Sequence, residues 1–350
     1  MNRYVEAIRS LASGEQSTVD ISETLYKQGC YYLLSKMGSR NQYANKMKAE
    51  NVLNKLCIIQ RYRTCDELFR EFEEHSIPYA VIKGAVLSSS AYNDPFCRRS
   101  GDIDVLISRK SIDVVKQFML QAGFVQGRIT ENGIEPYSRK ELLFQTSMSH
   151  QTAPFVKETN NQLCPYVNVD INLDILWGES GTTTDMEFVL ENIQNTVVYD
   201  IPVKKLCPEM EFIALCLHHY KDMNSLYLLY ERGLALNHFC DIYFFVSNCR
   251  MDPETLHIFC QRLDVGAFVY YCLYYANRIF KDNKLEEYMA LLYSESAEAL
   301  LDQFGLTDQE RQVWDIDFYT RLFDLHMRDY LENKLSDECL NKIKINQMYM

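Results

Sequence analysis

Two aspartates separated by one residue, Asp102 and Asp104, lie downstream of a lysine–glycine pair, Lys83-Gly84. Side chains alternate faces along a strand, so the two carboxylates are expected to project one way and Ile103, Val105 and Ile107 the other, into a core. Neighbouring carboxylates resist joint ionisation unless a cation lies between them. Hard divalent ions such as Mg²⁺ take oxygen ligands of this kind together with phosphate oxygens. A glycine at the end of a strand lets backbone approach a phosphate, and the start of the following helix favours an anion. The expected chemistry is a metal–nucleotide site, the glycine turn holding phosphate and the aspartates holding metal.

Such a site needs elements to position it. Tyr79-Ala80-Val81-Ile82 is an apolar run of strand length, Ala85 to Tyr92 is compatible with a helix, and Asn93-Asp94-Pro95 is turn-rich. Arg98-Arg99 then leads into the run that carries Asp102 and Asp104. The order is strand, glycine turn, helix, loop, strand. A second acidic pair, Asp315 and Asp317, sits in a helical-looking stretch without a glycine turn and reads as a solvated face. Tyr166 to Trp177, YVNVDINLDILW, alternates cleanly: Val167, Val169, Ile171, Leu173 and Ile175 on one side, Asn168, Asp170, Asn172, Asp174 and Leu176 on the other. This predicts a half-buried strand with two acids on its polar side.

Lys83-Gly84, Tyr92, Arg98 and Gly101-Asp102-Ile103-Asp104-Val105-Leu106-Ile107 closely resemble the uncharacterised nucleotidyltransferase family often called family 5, within the DNA polymerase β-like nucleotidyltransferase superfamily. In that family a Lys-Gly pair replaces the superfamily's Gly-Ser. The resemblance covers about residues 77 to 245 and implies an α+β fold: a mixed sheet with flanking helices and a third carboxylate on a later strand. The family's acid-apolar-His-Trp pattern lines up with Asp174-Ile175-Leu176-Trp177, with leucine in the histidine's place. Asp174 is therefore expected as the third metal ligand, ahead of Asp170. Asp102, Asp104 and Asp174 would be catalytic and hold two Mg²⁺ ions, with Lys83, Gly84 and Arg98 against the phosphates of a nucleoside triphosphate, ATP foremost. The expected reaction moves a nucleoside monophosphate to a hydroxyl on a small molecule or a protein. The alternative is an inactive nucleotide-binding or scaffold protein of the same fold. The resemblance also brings His218 or His219 near the site and covers Asp241, which either packs against Arg232 or helps a substrate; for each histidine a satisfied place in the core is the preferred reading.

Composition bounds the rest. The chain has 350 residues and a net charge of −12. That balance argues against broad nucleic-acid binding, which needs cations to neutralise phosphates, although Arg98, Arg99, Arg109 and Lys110 offer a local basic pocket. No apolar run reaches the roughly 20 residues of a membrane span, and the N-terminal stretch lacks the apolar core of a secretion signal. Twelve scattered cysteines without close Cys/His spacing read as reduced, mostly buried thiols of a cytoplasmic protein. Three parts are expected: an N-terminal helical region (1–75), a nucleotidyltransferase core (76–205) and a C-terminal helical domain (206–350). Asn41 to His75 should form a long helix packed on the sheet through Val52, Leu53, Leu56, Ile59, Leu68 and Phe72. Two short strands are expected within 142–156, around a turn at His150, Pro208 should start a buried helix, and Leu226 to Val246 should form another.

Overall fold

A computed structural model describes residues 3–37, 41–148 and 150–349. The chain forms two compact units. One comprises 38–214 and 247–252; the other comprises 1–37, 215–246 and 253–350. These units cross the boundaries expected at 75 and 205. The long helix belongs with the sheet because its last turns fill the sheet's core, and the first helices belong with the C-terminal ones.

The first unit is built on a six-stranded mixed sheet. Its strands are β1 (Tyr79–Ile82), β2 (Ile103–Ile107), β3 (Val125–Thr130), β4 (Gly133–Pro136), β5 (Phe155–Glu158) and β6 (Tyr166–Asn172), in the order β1-β2-β6-β5-β3-β4. Only the β2–β6 pair is parallel. A hairpin of β7 (Ile193–Val198) and β8 (Ile201–Leu206) follows, and β8 runs beside β1.

One face of the sheet is sealed by helices. Ile103, Val105 and Ile107 of β2 and Val167, Val169 and Ile171 of β6 enter a core shared with Ile58, Tyr62, Cys65, Leu68, Phe69 and Phe72 of the helix Gln42–Glu74. The crossover helix Ile112–Gln121 adds Val115, Phe118 and Met119. Each such buried side chain stabilises by about 1.5–3 kcal/mol. Asn41 caps the long helix by accepting from the Tyr43 and Ala44 N–H groups at 2.9 and 3.1 Å. The expectation for this helix holds at Leu68 and Phe72, but Val52, Leu53 and Leu56 are exposed.

Local chemistry explains two further departures. Leu142 to Met148 belongs to a helix, Arg139–Met148, rather than a strand. Ser138 and Glu141 form a reciprocal capping box: the Ser138 N–H donates to Glu141 Oε2 at 2.7 Å, and the Glu141 N–H donates to Ser138 Oγ at 3.3 Å. Gln151 then bridges to Asn172 beside β6, ahead of β5. Leu226 to Val246 is two helices, Leu226–Arg232 and Leu236–Asn248, because Gly233 leaves the first at φ 66°.

Where Pro208–Asn224 begins, Glu211 is buried. Lys205 Nζ donates to its Oε2 at 2.9 Å and Ser90 Oγ to the same oxygen at 2.8 Å. Burial raises the Glu211 pKa; Lys205 and Ser90 oppose the rise.

The second unit is helical apart from one short two-stranded pairing, Gln303–Phe304 with Gln312–Val313. Its acidic pair is solvent-exposed, as expected, but lies ahead of a helix rather than along one. Asp317 caps Phe318–Phe323 by accepting from the Tyr319 and Thr320 N–H groups, and Asp315 accepts from Tyr330 and Lys334. The twelve cysteines are thiols, most of them buried. Among the described residues no helix is long and apolar enough to cross a membrane.

Candidate active site

β1 ends at a corner. Lys83 takes φ 59° and ψ −155°, a backbone region that penalises any side chain, and Gly84 follows at φ 48° as the first residue of the helix Gly84–Tyr92. No side chain caps that helix at Lys83, so its first N–H groups lack the usual side-chain acceptor. A Cβ on Gly84 would stand 3.0 Å from Ser100 Oγ. Ser100 Oγ donates to the Asp102 carbonyl at 2.8 Å, and Arg61 Nη1 to the Ser100 carbonyl at 2.6 Å. The glycine corner is thereby packed against the chain that enters β2.

The acids meet through strand register. β1 and β2 are antiparallel with Ile82 opposite Asp104, which brings the corner to the start of β2. β2 and β6 are parallel with Asp104 level with Asp170. Residues paired in this way lie about 4.8 Å apart on the same face. Lys83 Nζ donates to Asp104 Oδ1 at 2.9 Å, and Asn172 Nδ2 donates to the same oxygen at 3.1 Å. Gln151 Nε2 in turn donates to Asn172 Oδ1 at 2.7 Å. A polar chain therefore runs from residue 151 through Asn172 and Asp104 to Lys83, on the face opposite the helix-covered core.

The chain matches the model of a family described as uncharacterised nucleotidyltransferase over residues 28–281. It belongs to that family. No protein with curated annotation matches. A solved structure described as an antigenic nucleotidyltransferase-like protein from Paracoccidioides brasiliensis is similar at 15% identity and a TM-score of 0.40, over 66% of this chain and 92% of that one.

The electrostatics of the family's acidic strand show how the carboxylates are coupled. The Asp170 pKa is pushed up to about 7, first by burial, then by Asp104 and Asp102, with Lys83 opposing. Asp102 is also raised, by burial and then Asp104, with Lys83 and Arg61 opposing. Three carboxylates crowded beyond what one lysine neutralises make an oxygen-donor set suited to a hard divalent cation. Asp102, Asp104 and Asp170 are the residues that could hold one.

Asp174 is placed differently from the expectation. β6 ends at Asn172, so strand alternation no longer governs residue 174. Its buried carboxylate accepts from the Leu176 N–H at 2.9 Å, the Thr184 N–H at 3.1 Å and Thr184 Oγ1 at 2.8 Å. It closes the loop after the strand. Arg98 is anchored by its backbone: its N–H donates to Ser88 Oγ at 3.1 Å and its carbonyl accepts from Asn54 Nδ2 at 3.2 Å. Arg99 pairs with Glu50 and Lys110 with Glu187, so two of the flanking cations already have acidic partners. Arg61, Gln151 and Asn172 were not among the expected site residues. Arg61 left no local signal, since its helix is separated from the acids by the whole first strand.

Proposed function

We propose that the chain is a Mg²⁺-dependent nucleotidyltransferase that moves a nucleoside monophosphate from an NTP, ATP foremost, to a hydroxyl of a small-molecule or protein acceptor. The observation that carries this is Asp170 level with Asp104, both on the face reached by the Lys83-Gly84 corner. Asp102, Asp104 and Asp170 would hold the two Mg²⁺ ions, Asp170 replacing Asp174 in that role. Bound there, the ions would lower the pKa of the acceptor hydroxyl and offset charge on the triphosphate and the leaving pyrophosphate. Gly84 and the uncapped helix start would cradle phosphate. Lys83 would exchange Asp104 for phosphate oxygens as the acids take up cations, and Arg61 would hold the Ser100–Asp102 backbone in place. Arg98 is retained as a phosphate contact because its backbone is pinned at the mouth of the same loop.

A second reading is favoured by one observation: Asp104 Oδ1 already accepts from both Lys83 and Asn172. An oxygen so engaged suits a nucleotide-binding scaffold that performs no transfer. Incubation with α-³²P-labelled ATP, Mg²⁺ and fractionated small-molecule and protein acceptors separates the two. Transfer predicts label on an acceptor and stoichiometric pyrophosphate, both lost in Asp104→Asn. Nucleotide bound without either product favours the scaffold.

A further inference from the structure

The helix Pro208–Asn224 carries His218, His219 and Asp222 in its second half. Residues four apart share a helix face and residues three apart adjoin it, so the spacing gathers all three. One potential ligand atom from each lies within 4.8 Å of the others. Asp222 Oδ2 stands 3.4 Å from His218 Nε2 and 3.7 Å from His238 Nε2, the latter supplied by the helix Leu236–Asn248. A tetrahedral shell with bonds of about 2.0–2.1 Å has edges of about 3.3–3.4 Å. These separations are close to that edge length and longer than ordinary hydrogen bonds.

A second observation points to a ligand. His219 is fully buried. Its Nε2 lies 3.1 Å from Asp241 Oδ2. An ionised carboxylate can only accept, so Nε2 carries the proton and Nδ1 presents a lone pair. That Nδ1 is buried and has no hydrogen-bond partner among the described residues. A carboxylate holding one nitrogen of a histidine is the arrangement that orients metal-ligating imidazoles, and Nδ1 is then the nitrogen open to a ligand. Lys221 Nζ stands 3.5 Å from the other carboxylate oxygen of Asp222, Oδ1.

We propose that His218, His219 and Asp222, with His238 adjoining, form a binding site for a divalent transition metal of the zinc class, and that Asp241 positions His219 in it. Mixed imidazole and carboxylate donors select such a metal over Mg²⁺, which prefers oxygen alone. The site lies in the second unit and uses none of the acids of the first. It stands whether or not the chain transfers nucleotides.

The test is Co²⁺ and Zn²⁺ titration of the full chain carrying Asp102→Asn and Asp104→Asn, stripped with chelator and held in excess Mg²⁺. The expected result is one equivalent of Co²⁺ with the intense visible bands of a four-coordinate ion, displaced by Zn²⁺, and a rise in Tm on adding Zn²⁺. His218→Ala and Asp222→Asn should each weaken Zn²⁺ binding at least about tenfold, and Asp241→Asn should do so without removing a ligand. His218 is only partly buried, so its variant separates loss of binding from loss of folding, with the circular dichroism melt in chelator as the control. Absence of the Co²⁺ bands, or Zn²⁺ affinity unchanged in folded His218→Ala and Asp222→Asn, overturns the proposal.

Discussion

Asp170 stands beside Asp104 across the parallel β2–β6 pair, whereas Asp174 is tied to Leu176 and Thr184 beyond the strand's end. Both acids lie in one alternating run of sequence, so their roles separate by substitution. Asp170→Asn and Asp104→Asn are expected to lower Mn²⁺ affinity, read by electron paramagnetic resonance, at least about tenfold, with nucleotide transfer lost and the fold kept. Asp174→Ala is expected to do the reverse. It strands buried donors and should cost about 1–3 kcal/mol in urea denaturation while Mn²⁺ affinity holds. If Asp174→Ala abolishes cation binding in folded protein and Asp170→Asn does not, the assignment is inverted.

The raised Asp170 pKa fixes the sign of a pH dependence. Unfolded, this carboxyl titrates near pH 4; folded, it titrates at about 7. Between those values the folded chain keeps a proton that the unfolded chain has released. The stability associated with this group is therefore greatest below about pH 4 and is lost as the pH rises through about 7. Without divalent cations, Asp170→Asn should be more stable than the parent at pH 8 by about 2–4 kcal/mol, and the gap should close towards pH 4. Mg²⁺ should raise the parent's Tm more at pH 8 than at pH 5, since protons compete for the same oxygens. A pH-independent gap would remove Asp170 as the titrating group.

At the glycine corner, Gly84→Ala must hold a side chain at positive φ and press on Ser100 Oγ. A cost of about 1–2 kcal/mol is expected, together with weaker ATP binding by calorimetry. Lys83→Met keeps the backbone but removes the ammonium that opposes the rise in both Asp102 and Asp170. The pH at which Mg²⁺ binding is half-maximal should then move upward; a downward movement would contradict the placement of Lys83.

Lys205 and Ser90 hold the buried Glu211. Lys205→Met leaves that carboxylate without its cation and should destabilise by about 3 kcal/mol at neutral pH. Part of the loss should be recovered by Glu211→Gln in the double variant. An additive double variant would mean that the pair is not coupled.

Much of the nucleotidyltransferase core was legible because its elements are local. Tyr79 to Ile82, the Lys83-Gly84 corner, the helix after it and the Asp102–Asp104 strand follow from alternation, glycine conformation and turn chemistry within a short stretch. The long helix was legible from its lack of glycine and proline, and Asn41 supplies its cap. The acid proposed here as the third ligand was not. Alternation placed Asp170 and Asp174 on one face equally, and only the inter-strand register, a long-range property, distinguishes them. Arg61 and Asn172 depend on the same long-range pairing. The helix Arg139–Met148 was obscured because its apolar residues resemble a strand, and its start rests on the short Ser138–Glu141 box.

Lys83 sits under two opposed demands. Its backbone geometry is one that glycine adopts at no steric cost, while its ammonium is what the neighbouring carboxylate uses. A library randomised at this codon should therefore sort in opposite directions under different screens. Selection for folded yield would enrich glycine, and selection for turnover would return lysine.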